Sequence, residues 1–318
     1  MCFFDTPGPS RRDFRAAPDV GGAAAWLPPH QVLAEAPSLV DLVRGGAAKA
    51  EVTVQRLRGS VSVLLGSGGN IAVLSGPEGK LLVDAGFPIS EAKITAALAG
   101  IGPEPIRYLV NTHWHFDHTD GNEWLHAAGA TILAHQNTRE HLASTTRVED
   151  WDFTFPPSAA GALPTSIVTT GRTWRWNGTT VELTYYAPCH TDSDLSVTFR
   201  EVDVLHTGDT WWNGHYPFID YSTGGSIAGM IRAAAENLAR VTSATIIIPG
   251  HGPVGDRSQL AEFRDMLITI RDTVAGLKKR GASVAEVVAS KPTAAYDAKW
   301  SGFVIDGPFF TRLVYAGV

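Results

Sequence analysis

The chain has 318 residues, of which 44% are apolar and 18% charged, the composition of a globular protein with a substantial core. Its net charge of −6 argues against a general electrostatic footprint for nucleic acid, and no run of about 18 apolar residues supplies the membrane span such a helix requires. Two cysteines, Cys2 and Cys189, are too few for a disulfide framework and lack the spacing of a structural zinc site, so a bound metal would have to rest on histidine and carboxylate.

Residues 1–45 are expected to form a leader outside the core fold. Ser10-Arg11-Arg12-Asp13-Phe14 resembles a twin-arginine export signal, yet Arg15, Pro18 and Asp19 interrupt the apolar segment that should follow. Two readings stand: an exported chain, or a cytoplasmic one with an Ala/Gly/Pro leader. Residues 46–318 are expected to form a single domain. From Glu51, the stretches "EVTVQRL", "VSVLLG", "NIAVLSG" and "KLLVDAG" predict four strands joined by tight turns. A helix follows from Ser90 to Gly100 or Gly102, then a buried strand "IRYLVNT". A short helix near 121–128, a strand "ATILAH" and a helix near 137–143 come next. Residues 147–165 carry Trp, Phe and Pro without a clear period and read as a loop or flap. Strands resume with "TTVELTYYA", "DLSVTFR" and "VDVLHTGD". A helix over 226–240, the strand and turn "ATIIIPGHG", and a helix over 258–279 complete the pattern. Lys278-Lys279-Arg280, late on that helix, is a solvated face. Two halves, each a strand series closed by helices, imply two sheets packed face to face with helices outside.

The stretch "NTHWHFDHTDGNEWL" packs three histidines and an aspartate into positions 113–118. On an extended strand end, residues 113, 115 and 117 share one side, and a turn beginning at Asp117 can bring His118 to a neighbouring point. The spacing thus offers two ligand pairs, His113 with His115 and Asp117 with His118. Tetrahedral zinc with an open position needs three protein ligands, so each pair needs a further partner. Three later strands end in turns that carry one: His190 in "YYAPCH", Asp209 in "VLHTGD" and His251 in "IIIPGH". A lone histidine at a strand end is usually structural; four separate strand ends bearing His or Asp form a far more specific signal.

This ordered set resembles the metallo-β-lactamase superfamily over about residues 51–255. The resemblance implies an α/β fold, an αββα sandwich of two mixed β-sheets flanked by helices, with metals at one edge. It places His113, His115 and His190 on one metal and Asp117, His118 and His251 on the other, with Asp209 bridging. Asp84 in "LLVDAG" matches an aspartate that supports the site from behind. The bridging aspartate is more like glyoxalase II and the lactonases than the true zinc β-lactamases.

The implied activity is that of a binuclear zinc-dependent hydrolase, using a metal-bridging hydroxide on a small carbonyl substrate such as a lactam, lactone or thioester. Such a centre lowers the pKa of water from ~15.7 to about 7, and Asp117 would orient the nucleophile and carry its proton. Iron or manganese are alternative metals. The rival reading is a mononuclear iron-dependent oxidoreductase of the same fold, similar to persulfide dioxygenases. A small-molecule substrate is the expected partner, nucleic acid is not, and the oligomeric state stays open. Trp211, Trp212, His215 and Tyr216 either line the substrate pocket, with Tyr216 or His215 donating to an oxyanion, or pack beneath the loop. Trp151, Phe153 and Phe155 form either an apolar flap or a plain covering loop. Trp114 and Phe116 alternate with the ligands and should face the core. Cys189 reads as a buried inert thiol and His206 as a core histidine.

Overall fold

A computed structural model describes residues 38–318; the double arginine at 11–12 and its flanking residues lie outside the described residues. The first element is a helix, α1 (Leu39–Lys49), whose N-terminus is satisfied by the Ser38 hydroxyl accepting from the Asp41 amide. Val40 and Ala47 on one face of α1 are buried in the main core. The expected boundary at residue 46 is therefore corrected: the apolar face of α1 has to be covered, and the fold includes this helix.

Four strands follow, β1 (Thr53–Arg56), β2 (Val61–Leu65), β3 (Ile71–Leu74) and β4 (Lys80–Val83), paired antiparallel in succession. After α2 (Glu91–Ile101), β5 (Ile106–Val110) lies parallel to β4. Two short helices, α3 (Phe116–Thr119) and α4 (Asn122–Ala127), lead to β6 (Thr131–His135), parallel to β5. Next come α5 (Gln136–Ala143) and a hairpin of β7 (Thr146–Val148) and β8 (Phe153–Phe155). The hairpin stands where the sequence predicts a loop or flap. Then β9 (Ser166–Val168) closes a seven-stranded sheet of order β1-β2-β3-β4-β5-β6-β9.

The second sheet has five strands in chain order. They are β10 (Gly171–Trp176), β11 (Thr179–Tyr186), β12 (Asp194–Phe199), β13 (Val204–His206) and, after the crossover helix α6 (Ile227–Arg240), β14 (Ile246–Ile248). Only the β13–β14 pair is parallel, as a crossover connection requires. Helix α7 (Arg257–Lys279) starts with a reciprocal capping box between Asp256 and Gln259. The short helices α8 (Val284–Ala289) and α9 (Asp297–Trp300) precede α10 (Gly307–Ala316). No helix among the described residues is long and apolar enough to cross a membrane.

Three buried clusters divide the core by layer. Val61, Val63, Leu81 and Val83 of the first sheet meet Val181, Leu183, Val197 and Phe199 of the second. On the outer face of the first sheet, Leu64, Val73 and Leu82 pack against Ile94, Leu98 and Leu125 of α2 and α4. The largest cluster joins α6, α7 and α10 to the second sheet through residues such as Met230, Phe263 and Phe310. The expected αββα sandwich is the observed one. β4, β5, β13 and β14 each end in a turn that carries a chemistry-bearing residue, since ladder hydrogen bonds stop there and side chains are free to project.

Candidate metal centre

The turn after β4 holds Asp84 in the left-handed region, φ 68°, a conformation costly for a residue with a Cβ. Its carboxylate accepts from the Thr112 amide (2.7 Å) and hydroxyl (2.9 Å), and from His118 Nδ1 at 2.8 Å. After β5 the backbone leaves the sheet through an irregular segment, and α3 begins at Phe116 with His115 as its flanking residue. The alternation expected for an extended 113–117 therefore does not hold. One consequence is that Phe116 faces the cavity above the metal centre, whereas Trp114 is buried and donates to Thr223 Oγ1 at 3.1 Å. A reciprocal amide pair of Asn111 and Asn122 (2.8 and 2.9 Å) fixes the ends of this segment.

The other three turns bring His190, Asp209 and His251 to the same place. Three donor groups form, within 4.8 Å in each: His113, His115 and His190; His113, His118 and Asp209; and Asp117, His118 and His251. Asp209 Oδ2 lies 3.5 Å from His190 Nε2 and 3.3 Å from His251 Nε2, while its Oδ1 is 3.2 Å from His118 Nε2. Asp117 Oδ2 is 3.1 Å from His251 Nε2 and 3.4 Å from His118 Nε2. Donors about 2.1 Å from a tetrahedral ion stand about 3.4 Å apart, so these separations are those of a coordination shell.

In four of the five histidines the outward ring nitrogen is engaged as well. His113 Nδ1 meets Thr112 Oγ1 (3.0 Å), a hydroxyl that itself donates to Asp84. His115 Nε2 meets Asp220 Oδ2 (3.0 Å), His118 Nδ1 meets Asp84, and His190 Nδ1 meets the Phe218 carbonyl (2.8 Å). With the proton held on that side, the inner nitrogen presents a lone pair to the centre. His113 Nε2 and Asp209 Oδ1 are buried without any hydrogen-bond partner, which is what unfilled donor positions look like. The glycines around the centre admit no side chain: a Cβ on Gly69 would meet the His118 ring at 2.1 Å, and one on Gly250 would meet Asp209 Oδ1 at 1.8 Å.

Electrostatics divides the two sides of the centre. Burial, reinforced by the neighbouring histidines, holds His113 well below the usual imidazole range and His190 at about 4. Burial opposes charge on His118 and His251 too, but there the carboxylates of Asp209 and Asp117 win, raising His118 well above its ordinary value and His251 to about 9. Burial likewise disfavours ionised Asp117 and Asp209, and the His118 and His251 charges outweigh it, holding both well below the carboxylate range.

The centre floors a cavity of about 580 Å³ lined by His115, Asp117, His190, Asp209 and His251. Of the four aromatic-loop residues expected there, only Trp212 lines it, its ring 4.4 Å from that of His251. Trp211 is fully buried in the core beneath the second sheet. The His215 ring lies outside Trp212, 4.9 Å from Phe303. Tyr216 stacks on Phe310 at 4.8 Å and donates to Asp297 Oδ1 at 2.9 Å, so the expected oxyanion role is corrected. Trp151 of the 146–155 hairpin does reach the site, stacked on Phe218 at 4.7 Å and 4.9 Å from the His115 ring. Cys189 is buried, and His206 is a satisfied core histidine between the Asn70 carbonyl and the Gly208 amide. Sequence reasoning missed Asp220, buried behind His115; it sits in an irregular loop with no ligand spacing to mark it.

Residues 64–251 match the sequence model of the metallo-beta-lactamase superfamily. A hydroxyacylglutathione hydrolase from Polaromonas sp. is 29% identical over 167 residues, 52% of this chain and 55% of that protein, so the chain spans about half the length of the curated relative it matches. Among solved structures, a stereoselective inverting sec-alkylsulfatase, Pisa1 from Pseudomonas sp., superposes with a TM-score of 0.64 at 17% identity, over 83% of this chain and 50% of that one. A metallo-beta-lactamase from Pontibacter korlensis gives a TM-score of 0.55 at 20% identity, over 68% and 99%. At these identities the structural likeness is one of fold.

Proposed function

This chain belongs to the metallo-beta-lactamase superfamily, and from that premise we propose that it is a metal-dependent hydrolase with a two-zinc centre acting on a small carbonyl compound. The observation that carries this reading is the convergence of seven side chains from four separate turns, with buried donor atoms left unpartnered. His113, His115 and His190 would hold one ion; Asp117, His118 and His251 would hold the second; and Asp209, within reach of both groups, would be shared. Bound there, such ions would lower the pKa of a water to about 7 and would supply an electrophile for the scissile oxygen.

The protein's own residues do the rest. Asp84 and Asp220 fix the ring orientation of His118 and His115 through the hydrogen bonds already described. Asp117 is the most exposed of the ligand side chains at 13%, standing between the centre and the cavity. There its carboxylate can accept the proton of the attacking water and pass it to the departing group as the carbonyl–heteroatom bond breaks. The relative's hydroxyacylglutathione makes a thioester one candidate substrate; lactones and lactams present the same carbonyl.

Metal analysis with a substrate panel tests the reading. About two zinc ions per chain and hydrolysis of a chromogenic lactone, thioester or β-lactam are expected. A single iron per chain with oxygen uptake on a persulfide, and no hydrolysis, would replace it with the oxidoreductase reading.

A further inference from the structure

The cavity over the metal centre has a floor of one chemistry and walls of another. Above the ligands its lining is α1 (Leu39, Val40, Val43), an aromatic side (Phe87, Phe116, Trp151, Phe218) and a C-terminal segment, Phe303–Ile305. No lysine or arginine is among its lining residues. The guanidinium beside the wall, that of Arg44, is committed elsewhere: its Nε donates to Asp120 at 2.8 Å while its carbon lies 5.2 Å over the Phe116 ring. An anionic group lodged against these walls, away from the metal centre, would lose water and find no lysine or arginine among the lining residues, a cost above the gain from contact. Saturated carbon entering it would exchange water for an apolar wall.

We propose that the substrate's reacting carbonyl is carried on a neutral, apolar tail that lies between α1 and the Phe303–Ile305 segment. This rests on the hydrolase reading of the same centre. The two walls are contributed from opposite ends of the described chain; Phe303 packs on the rings of His251 and Trp212 at 5.7 and 5.9 Å and Arg44 of α1 pairs with Asp120, but neither wall supplies a ligand. They therefore bear on which tail is accepted while contributing no donor atom to the coordination shell. The mouth is apolar as well, since Leu42 is 58% and Phe303 47% exposed. A tail longer than the cavity would run out over these residues rather than into a polar rim. Compounds whose leaving group or acyl part carries carboxylates, such as thioesters of an acidic peptide thiol, are selected against.

Binding and turnover test this separately. Calorimetric titration of the zinc-loaded full chain with N-alkyl acetamides, butyl to octyl, should give a Kd that falls about fourfold per methylene. An acetamide of the same length ending in a carboxylate should bind at least tenfold more weakly than the neutral one. A flat alkyl series, or tighter binding of the carboxylate, overturns the proposal whether or not the protein hydrolyses anything. Phe303→Lys, at a half-exposed position, should reduce the octyl-over-butyl affinity ratio severalfold and narrow the penalty on the carboxylate. Val43→Asp on the opposite wall should reduce the same ratio; ratios unchanged in both variants would remove the tail from this cavity. Absence of turnover on every ester, lactone and thioester at two zinc ions per chain would instead sink the hydrolase reading and leave the alkyl series standing.

Discussion

The floor and the walls of the cavity were assembled by different rules. The floor is made of residue types that chemistry restricts: histidine and aspartate, metal-ligating side chains, stand at His113, His115, Asp117, His118, His190, Asp209 and His251. Each sits where a strand ends and a side chain is free to project. The walls are made of whatever apolar side chains α1, the 146–155 hairpin and the 303–305 segment bring to the same space. Any of several apolar residues would do there. A floor residue is thus replaceable by almost nothing and a wall residue by many things, and substitutions should separate the two by size and by selectivity of effect.

The largest effect belongs to Asp209, whose two oxygens stand 3.2–3.5 Å from His118, His190 and His251. Asp209→Ala should lower kcat/KM on the order of a thousandfold or more, equally for short and long tails, and reduce bound zinc at both positions. Retention of full activity, or loss of one ion only, would show that the carboxylate is not shared. A step down is Asp220→Asn, which keeps the shape behind His115 but removes the charge that holds its Nε2 proton. A drop of about 10–100-fold in zinc affinity or activity is expected, read by competition with a chromogenic chelator. Asp84→Asn should behave alike on the His118 side.

How much of this was legible follows from the same division. The succession of the main strands and helices, the two packed sheets and the seven ligand types could be read because each leaves a local signature: β-branched runs ended by glycine turns, and His or Asp at a strand end; the short strands at 146–148, 153–155, 166–168 and 171–176 left none. Asp220 left none, because its role exists only once the 211–220 loop folds back behind His115. The aromatic residues of that loop misled for a related reason. Trp211 and Tyr216 follow within seven residues of Asp209 in sequence, but the irregular backbone turns them into the core beneath α6, α7 and α10. α1 was hidden by its composition: Gly45, Gly46 and three alanines at 47, 48 and 50 blend with the Ala, Gly and Pro of the preceding sequence, and only the buried faces of Val40 and Ala47 reveal it.

The floor is also the part that titrates, which the walls cannot do. In the metal-free protein His118 and His251 are raised above the ordinary imidazole value, His251 to about 9, by the paired carboxylates that overcome burial. A group raised on folding stabilises fully below its unfolded value of about 6.5 and loses that contribution as pH rises through its folded value. Asp117 and Asp209 are lowered, so their contribution is present above about 4 and lost as pH falls further. His113 and His190 are lowered, so below about 6.5 they take up protons only in the unfolded chain and subtract stability. Metal-free protein should therefore be most stable near pH 6.5, with Tm declining by on the order of 5 °C toward pH 9. The zinc-loaded protein should show the reverse slope over that window, because protons compete with the ion for both rings. Parallel slopes in the two forms, by scanning calorimetry, would mean that these histidines do not bind the metal.

The smallest effect is expected at Tyr216, which sequence proximity to Asp209 suggested as an oxyanion donor. Its hydroxyl donates instead to Asp297 Oδ1 at 2.9 Å and lies 3.2 Å from the Thr293 carbonyl, with the ring stacked on Phe310. Tyr216→Phe keeps the stack and removes one hydrogen bond, a cost of about 1 kcal/mol, or roughly 2–4 °C in Tm. Zinc content and kcat/KM should stay at the parent values. Loss of an oxyanion donor costs about a hundredfold or more in kcat, so a fall of that size with Tm unchanged would return Tyr216 to the cavity. An unchanged kcat with a lowered Tm keeps it where Phe310 and Asp297 hold it, tying α9 and α10 to the loop that carries Trp212 to the wall.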